Sequence, residues 1–206
     1  MIKTEFVTVE GWAAAIRGMR NPLESWEKSD SYFNGLQFIA GENDLKLMRS
    51  LCASGSDHRK YMRAIMVSMD VTAPAFWWTE YDTYKIATVR NSCSKMHKIH
   101  AHMITPEAFT AEGIAEIGGY CEEVFNTVVG ACEALRENYN ETGDKKYWRA
   151  LIELLPHGYN MRATVYFNYE TAFNMYRARK DHKLTEWRTF TDVLAELPYF
   201  RDITGV

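Results

Sequence analysis

Residues 161–169 restrict the fold more than any other stretch of this sequence. Met161, Ala163, Val165 and Phe167 alternate with Arg162, Thr164, Tyr166 and Asn168. A period of two sends the first set to one face of a strand and the second to the other. The apolar face needs a cover, and the segments able to provide one have helical spacing. Residues 171–180 and 185–197 are helices separated by Asp181-His182-Lys183, and 145–154 is a helix closed before Pro156, since the residue preceding proline is driven out of the helical region. The longest helix candidate spans about 107–138, where Ile114, Ile117, Tyr120, Cys121, Phe125, Val128, Val129 and Cys132 recur at three- and four-residue intervals. Gly118-Gly119 lies inside it. Each glycine costs roughly 1 kcal/mol against alanine, which predicts a kink or a close helix contact there.

The N-terminal half reads less regularly. Residues 3–9 form a strand, and 11–19 a short helix ended by Asn21-Pro22. Residues 24–34 are a polar loop, 44–51 a helix stopped at Gly55, and 61–71 a buried strand rich in Met, Ile and Val. Pro74 opens an aromatic segment that is helical in its first part, and 141–144 is a turn. Helices mixed with strands that do not alternate regularly predict an α+β fold, a mixed sheet with helices packed on it. No repeat or linker divides residues 1–206, so one domain is expected.

Several classes of function are excluded or disfavoured. A net charge of −3 and a pI near 6.1 argue against an electrostatic grip on nucleic acid. No apolar run approaches the roughly 20 residues of a membrane helix, and MIKTEFVTVEGW has no secretory pattern. A cytoplasmic location is the expectation. Cys52, Cys93, Cys121 and Cys132 are scattered without a CxxC and read as reduced thiols. No GxGxxG or P-loop run is present. His97, His100 and His102 have a spacing that a bent chain could use for zinc, but no nearby carboxylate or cysteine completes a set in sequence, though Cys93 is close, so no metal site is expected. Trp77, Trp78 and Tyr81 are read as core or subunit-interface residues. Cys93 is assigned no role as a nucleophile, since nothing around it in sequence lowers a thiol pKa.

The run from Leu155-Pro156 through Arg162, Asn168, Glu170, Asn174 and Arg179 to Asp181 resembles the C-terminal signature of the flavin-dependent thymidylate synthases, in a divergent, phage-like form. In that family a Leu-Pro pair leads into a strand closed by an asparagine. A second asparagine follows on the next helix, and then a Leu-Arg-x-Asp element. Order and spacing match here without a gap. The resemblance implies that Asn168 and Asn174 contact the flavin. It also implies that Arg179 faces the uracil ring of dUMP and favours its N3-deprotonated form. Glu170 stands where the family has an arginine of the flavin site. A guanidinium suits an N3 anion because it is planar, permanently charged and able to donate twice. Asparagine offers a flavin edge both donor and acceptor. Asn174 and Arg179 lie about 140° apart on a regular helix, so they meet different ligands unless the helix loosens near Arg179.

The family's other signature, Arg-His-Arg-x-x-Ser-x-Asn-Glu-x-Ser-x-Arg-Tyr, falls in the same register on residues 83–96. Thr83 and Lys85 take the places of arginines, Thr88 of a serine, Asn91 of a glutamate, Cys93 of a serine and Lys95 of an arginine. Glu80-Tyr81 sits where the family has Gln-Trp. A register shifted by one residue instead aligns Asn91 and Ser94 with the motif's asparagine and second serine. Ile152 replaces an arginine that holds the nucleotide phosphate, and Arg149, about one turn away, is the candidate substitute.

By this resemblance Thr83, Lys85, Thr88, Asn168, Glu170 and Asn174 serve FAD. Glu80, Asn91, Cys93, Lys95 and Arg149 serve the nucleotide, and Arg162 joins them from the polar face of its strand. The implied reaction passes a methylene group from methylenetetrahydrofolate to C5 of dUMP, with FAD and NADPH as the reductants, in a homotetramer. A flavoenzyme of the same fold acting on another pyrimidine nucleotide, and a non-catalytic nucleotide-binding protein, are the alternatives.

Overall fold

The computed structural model describes residues 2–206. Strand β1 (Lys3–Glu10) and helix α1 (Trp12–Arg20) are followed by the hairpin β2 (Tyr32–Asn34) and β3 (Gln37–Ile39), then helix α2 (Glu42–Ala53). Strand β4 (Met66–Pro74), helix α3 (Ala75–Tyr81), strand β5 (Thr88–Ser92) and the single turn α4 (Lys95–Lys98) come next. The remainder is α5 (Glu112–Ile117), α6 (Gly119–Thr142), α7 (Lys145–Leu154), β6 (Asn160–Asn168), α8 (Tyr169–Arg179), α9 (Thr185–Ala195) and α10 (Phe200–Thr204). β1, β4, β6 and β5 hydrogen-bond in that order, with β2 and β3 as a separate antiparallel pair. The fold is α+β, as the strand of residues 161–169 and its flanking helices require. No helix among the described residues is long and apolar enough to cross a membrane.

The described residues form two compact units. One, the α6–α7 unit, holds the chain up to Lys3, Val71–Tyr84 and Asn91–Thr164. The other, the α8–α9 unit, holds Thr4–Asp70, Lys85–Arg90 and Val165–Val206.

In the α6–α7 unit, helices α6 and α7 pack on each other across a two-residue connection. Gly143 closes α6 by donating its N–H to the Tyr139 carbonyl at 2.8 Å, and Asp144 caps α7 by accepting from the Lys146 N–H at 2.9 Å. Their facing sides bury Val129, Cys132 and Leu151 with Ile99, Ile104 and Phe109. The helix expected over 107–138 is in fact broken. Phe109 is extended and bridges to Tyr159, and α5 ends at Gly118. Gly118 and Gly119 have φ of +64° and +54°, a left-handed conformation that glycine adopts without a Cβ clash. Paired positive φ values interrupt the helix outright where a kink was expected. Trp77, Trp78 and Tyr81 of α3 are core residues, 0–1% exposed, with Trp77 and Tyr81 stacked at 5.1 Å.

In the α8–α9 unit, residues 59–64 are a 3-10 helix, and the strand begins only at Met66. The reason lies in the burial pattern. Tyr61, Met62 and Ile65 are all buried, a helical spacing that a strand could not satisfy on one face. Tyr61 donates its hydroxyl to the Met48 carbonyl at 2.8 Å, tying this turn to α2. The polar loop of residues 24–34 ends in the first strand of the hairpin, paired Tyr32 to Ile39 and Asn34 to Gln37.

That loop is fastened by one buried ion pair. Arg20, 4% exposed, donates through Nε and Nη2 to Asp44 Oδ1, each at 2.7 Å. It also donates to the carbonyls of Ser25 and Lys28 at 3.2 Å. Asp44, fully buried, accepts on Oδ2 from the Ser29 and Ser31 hydroxyls and from the N–H groups of Asp30 and Ser31. Burial acts to raise the Asp44 pKa, but the bonds from Ser31, Ser29 and Arg20 prevail and hold it below the usual carboxylate range.

Candidate functional site

The α6–α7 unit contains a cavity of about 450 Å³ lined by Cys93, Ser94, Lys95, Lys98, His102 and Arg162, with Ile99, Ala101, Tyr159, Asn160 and Met161. Its construction follows from local chemistry. The Cys93 N–H donates to the Arg162 carbonyl at 2.9 Å, joining the two segments. Ser94 then caps α4 by accepting from the His97 N–H, and Lys95 opens that turn. The far wall is the Leu-Pro turn. Tyr159 and His157 carbonyls accept from the N–H groups of Ala75 and Phe76, at 3.0 and 3.2 Å, while Gly158 accepts from the Thr110 N–H at 2.8 Å. The Thr110 hydroxyl holds the Asn160 side chain at 2.8 Å.

Three cations, Lys95, Lys98 and Arg162, line this cavity and no carboxylate does. Its charge suits an anion, and a phosphate in such a setting gains charge-assisted hydrogen bonds. The Leu-Pro turn also depends on Gly158. A Cβ there would sit 2.6 Å from the Thr110 carbonyl oxygen, so the backbones could not approach. Gly158→Val is expected to destabilise the protein by about 1–3 kcal/mol and to weaken any ligand of the cavity, read from thermal unfolding and ligand titration of the same variant. An unchanged melting temperature would mean that the turn adapts.

Of the residues expected around the nucleotide, Cys93, Lys95 and Arg162 therefore share one cavity. Arg149 does not line it. On the exposed face of α7, Arg149 pairs with Glu153 at 2.9 Å, and Ile152 packs against the helical core. Asn91 is exposed on β5. Glu80 is half-buried near the end of α3, and Thr83 closes that end by donating to the Glu80 carbonyl at 2.7 Å. Lys98, His102 and Asn160 were not marked by the motif. His102 belongs to the histidine run, but among the described residues no three His, Cys, Asp or Glu side chains form a metal-binding group.

The α8–α9 unit carries the remaining candidates. Asn168 ends β6 and caps α8, its Oδ1 accepting from the Thr171 N–H at 2.9 Å. Asn174 is exposed on α8. Arg179, half-buried at the end of that helix, has its guanidinium 4.7 Å from the centre of the Trp187 ring, a cation–π contact that fixes the plane of the charge. Glu170 is ion-paired with Arg59 and Arg63. Burial acts to raise its pKa, but hydrogen bonds from the two arginines hold it below the usual range. Lys85 is exposed and Thr88 half-buried.

No protein-family model and no curated protein matches the sequence. Solved structures do match. A crystal structure of thymidylate synthase X (ThyX) from Helicobacter pylori with FAD and dUMP is 16% identical, with a TM-score of 0.69, covering 98% of this chain and 95% of that one. A second structure, flavin dependent thymidylate synthase ThyX from Helicobacter pylori complexed with FAD and dUMP, gives the same identity and TM-score over 98% and 96%. At that identity and coverage the likeness is one of fold, and this chain has the fold of those flavin-dependent thymidylate synthase structures.

Proposed function

We propose that the protein is a flavin-dependent thymidylate synthase-like methyltransferase that converts dUMP to dTMP with methylenetetrahydrofolate as the one-carbon donor. The observation that carries this reading is the fold correspondence, which extends over nearly the whole of both chains. The cationic cavity of the α6–α7 unit supports it, since Cys93, Lys95 and Arg162 all line it.

The residues present fit a flavin. Asn168 uses its Oδ1 for the helix cap, and its side-chain amide also carries an Nδ2 donor. Asn174 is exposed and able to both donate and accept. FAD, when bound, supplies the hydride that completes the methyl group, drawn in turn from NADPH. The chain's own part is binding and charge. In the α6–α7 unit Lys95, Lys98 and Arg162 are the cations for a phosphate, and in the α8–α9 unit Arg179 is the cation for the N3 anion of a pyrimidine. The indole of Trp187 holds Arg179 in place, so little conformational freedom is lost when it binds. The reading extends to residues 1–206 acting as one domain in a cytoplasmic homotetramer.

A visible absorption spectrum of the purified protein, taken before and after addition of FAD and then dUMP, tests it. Bound flavin whose spectrum shifts on dUMP is the expected result. Absence of flavin binding after reconstitution would overturn the enzymatic reading. Rescue of a thymidine-requiring strain separates dTMP synthesis from chemistry on another pyrimidine.

A further inference from the structure

Hairpin β2–β3 and the loop before it leave large aromatic side chains in solvent. Trp26, Tyr32 and Phe33 are 48%, 59% and 54% exposed. Apolar surface left in water is unfavourable, and a contiguous patch of it marks a place built to be covered. These three rings are gathered. Within the α8–α9 unit they line a concave cavity of about 340 Å³, together with Phe38 of β3 and Ile16 and Arg17 of α1. That volume lies at the lower end of small-molecule sites.

Its walls are held by contacts of their own. Phe38 stacks on the buried Trp12 ring at 4.9 Å, and Phe33 meets Phe38 edge-on at 5.5 Å. The chain leaving the hairpin is tied down where the Ala40 N–H donates to the Tyr199 hydroxyl at 3.1 Å. The Trp26 indole N–H donates to Asn21 Oδ1 at 2.9 Å, which orients that ring. Arg20, Ser29 and Ser31 also reach the lining, but their polar atoms are engaged with Asp44. Arg17 differs. It is exposed, and it makes no hydrogen bond, ion pair or ring contact among the described residues. No carboxylate lines the cavity.

Aromatic walls accept a planar ring by stacked and edge contacts, and a guanidinium beside them takes a carboxylate through two parallel hydrogen bonds. A second copy of this chain is the poorer occupant. A two-fold contact sets one patch against itself, and this lining holds no acid for Arg17 to meet. We propose that the cavity binds a small planar aromatic carboxylate, its ring against Trp26 and Phe33 and its carboxylate on Arg17. The proposal stands apart from the functional reading above, since none of the residues assigned there lines this cavity.

Calorimetric titration of the full chain with indole-3-acetate, tryptophol and tryptamine tests it, with circular dichroism as the folding control. The three probes share a ring and differ in side-chain charge. Indole-3-acetate is expected to bind roughly tenfold tighter than the neutral tryptophol, and the cationic tryptamine to bind least. Arg17→Gln, a change at an exposed position, should erase the preference for the acetate and leave tryptophol unchanged, a split that a merely structural role would not produce. Trp26→Leu should weaken both. No binding of indole-3-acetate, equal affinity for tryptamine, or indifference to Arg17→Gln overturns the proposal. Displacement of indole-3-acetate by FAD or dUMP overturns it as a separate site. Binding that is lost as the protein dimerises at higher concentration, followed by sedimentation, gives the cavity to a second copy and overturns it as well.

Discussion

Replacing Asp44 with alanine is expected to cost about 3–5 kcal/mol of stability, well above the roughly 1 kcal/mol of a typical point substitution. The substitution leaves the buried Arg20 guanidinium without its counter-charge and strands the hydroxyls of Ser29 and Ser31 and the N–H groups of Asp30 and Ser31. Each stranded buried donor costs about 1–3 kcal/mol unless water reaches it. Urea unfolding monitored by circular dichroism measures the loss. A change under about 1 kcal/mol would mean that the loop carrying Ser29 and Ser31 is held by other contacts. Replacing both partners with apolar residues, Arg20→Met with Asp44→Leu, is expected to recover part of the loss, because no buried charge is then left alone.

The same pair sets a pH dependence. The folded Asp44 pKa is depressed, so its stabilisation is fully present above the unfolded carboxylate value, about 3.9. It is lost as pH falls from there through the folded pKa, because protonation removes the anion that Arg20 and the serines bind. The urea midpoint of the wild type should therefore fall steeply at acid pH. Asp44→Asn, already weakened at neutral pH, should lack that component of the fall. Parallel acid limbs in the two proteins would show that other carboxylates dominate.

The second large effect is on ligand binding. Arg179→Ala is expected to weaken dUMP on the order of a hundredfold, the loss of two charge-assisted hydrogen bonds to a pyrimidine anion. The fold should survive, since the Trp187 ring under the guanidinium is itself fully buried and packed with Phe190. Arg179→Lys keeps the charge but loses the planar fork, and an intermediate affinity is expected. Calorimetric titration with dUMP, alongside thermal unfolding, separates the two contributions. Unchanged affinity in Arg179→Ala would remove Arg179 from the site.

Some of this architecture is written locally. Residues 145–154 carry an N-cap aspartate at Asp144 and a proline stop at Pro156, and α7 has those bounds. β6 was legible because alternation survives in its burial, with Ala163, Val165 and Phe167 all inside. β5 was not. Its sequence TVRNS has no apolar alternation and is mostly exposed, so its strand state comes from pairing with β6, a partner remote in the chain. The break at Gly118-Gly119 was foreseen only as a kink. Local propensity sets the cost of a glycine, but whether two successive residues adopt positive φ, as Gly118 and Gly119 do, is decided by the packing around them.

The same division runs through the candidate site. A spacing match over residues 155–181 was enough to raise the fold and to name Asn168, Asn174 and Arg179, because those residues follow one another on a strand and its helix. The cavity needed tertiary structure. Lys98 and His102 line it together with Arg162, from two segments that the Cys93 N–H joins by its bond to the Arg162 carbonyl. Glu170 read as a loss of positive charge in sequence, and its partners Arg59 and Arg63 lie 111 and 107 residues away. Sequence determined the residue types, the periodicities and the caps, which act over a few residues. Only the tertiary structure decided which charges meet, because electrostatic and hydrogen-bond partners are chosen by distance in space, and separation along the chain carries almost no information about that.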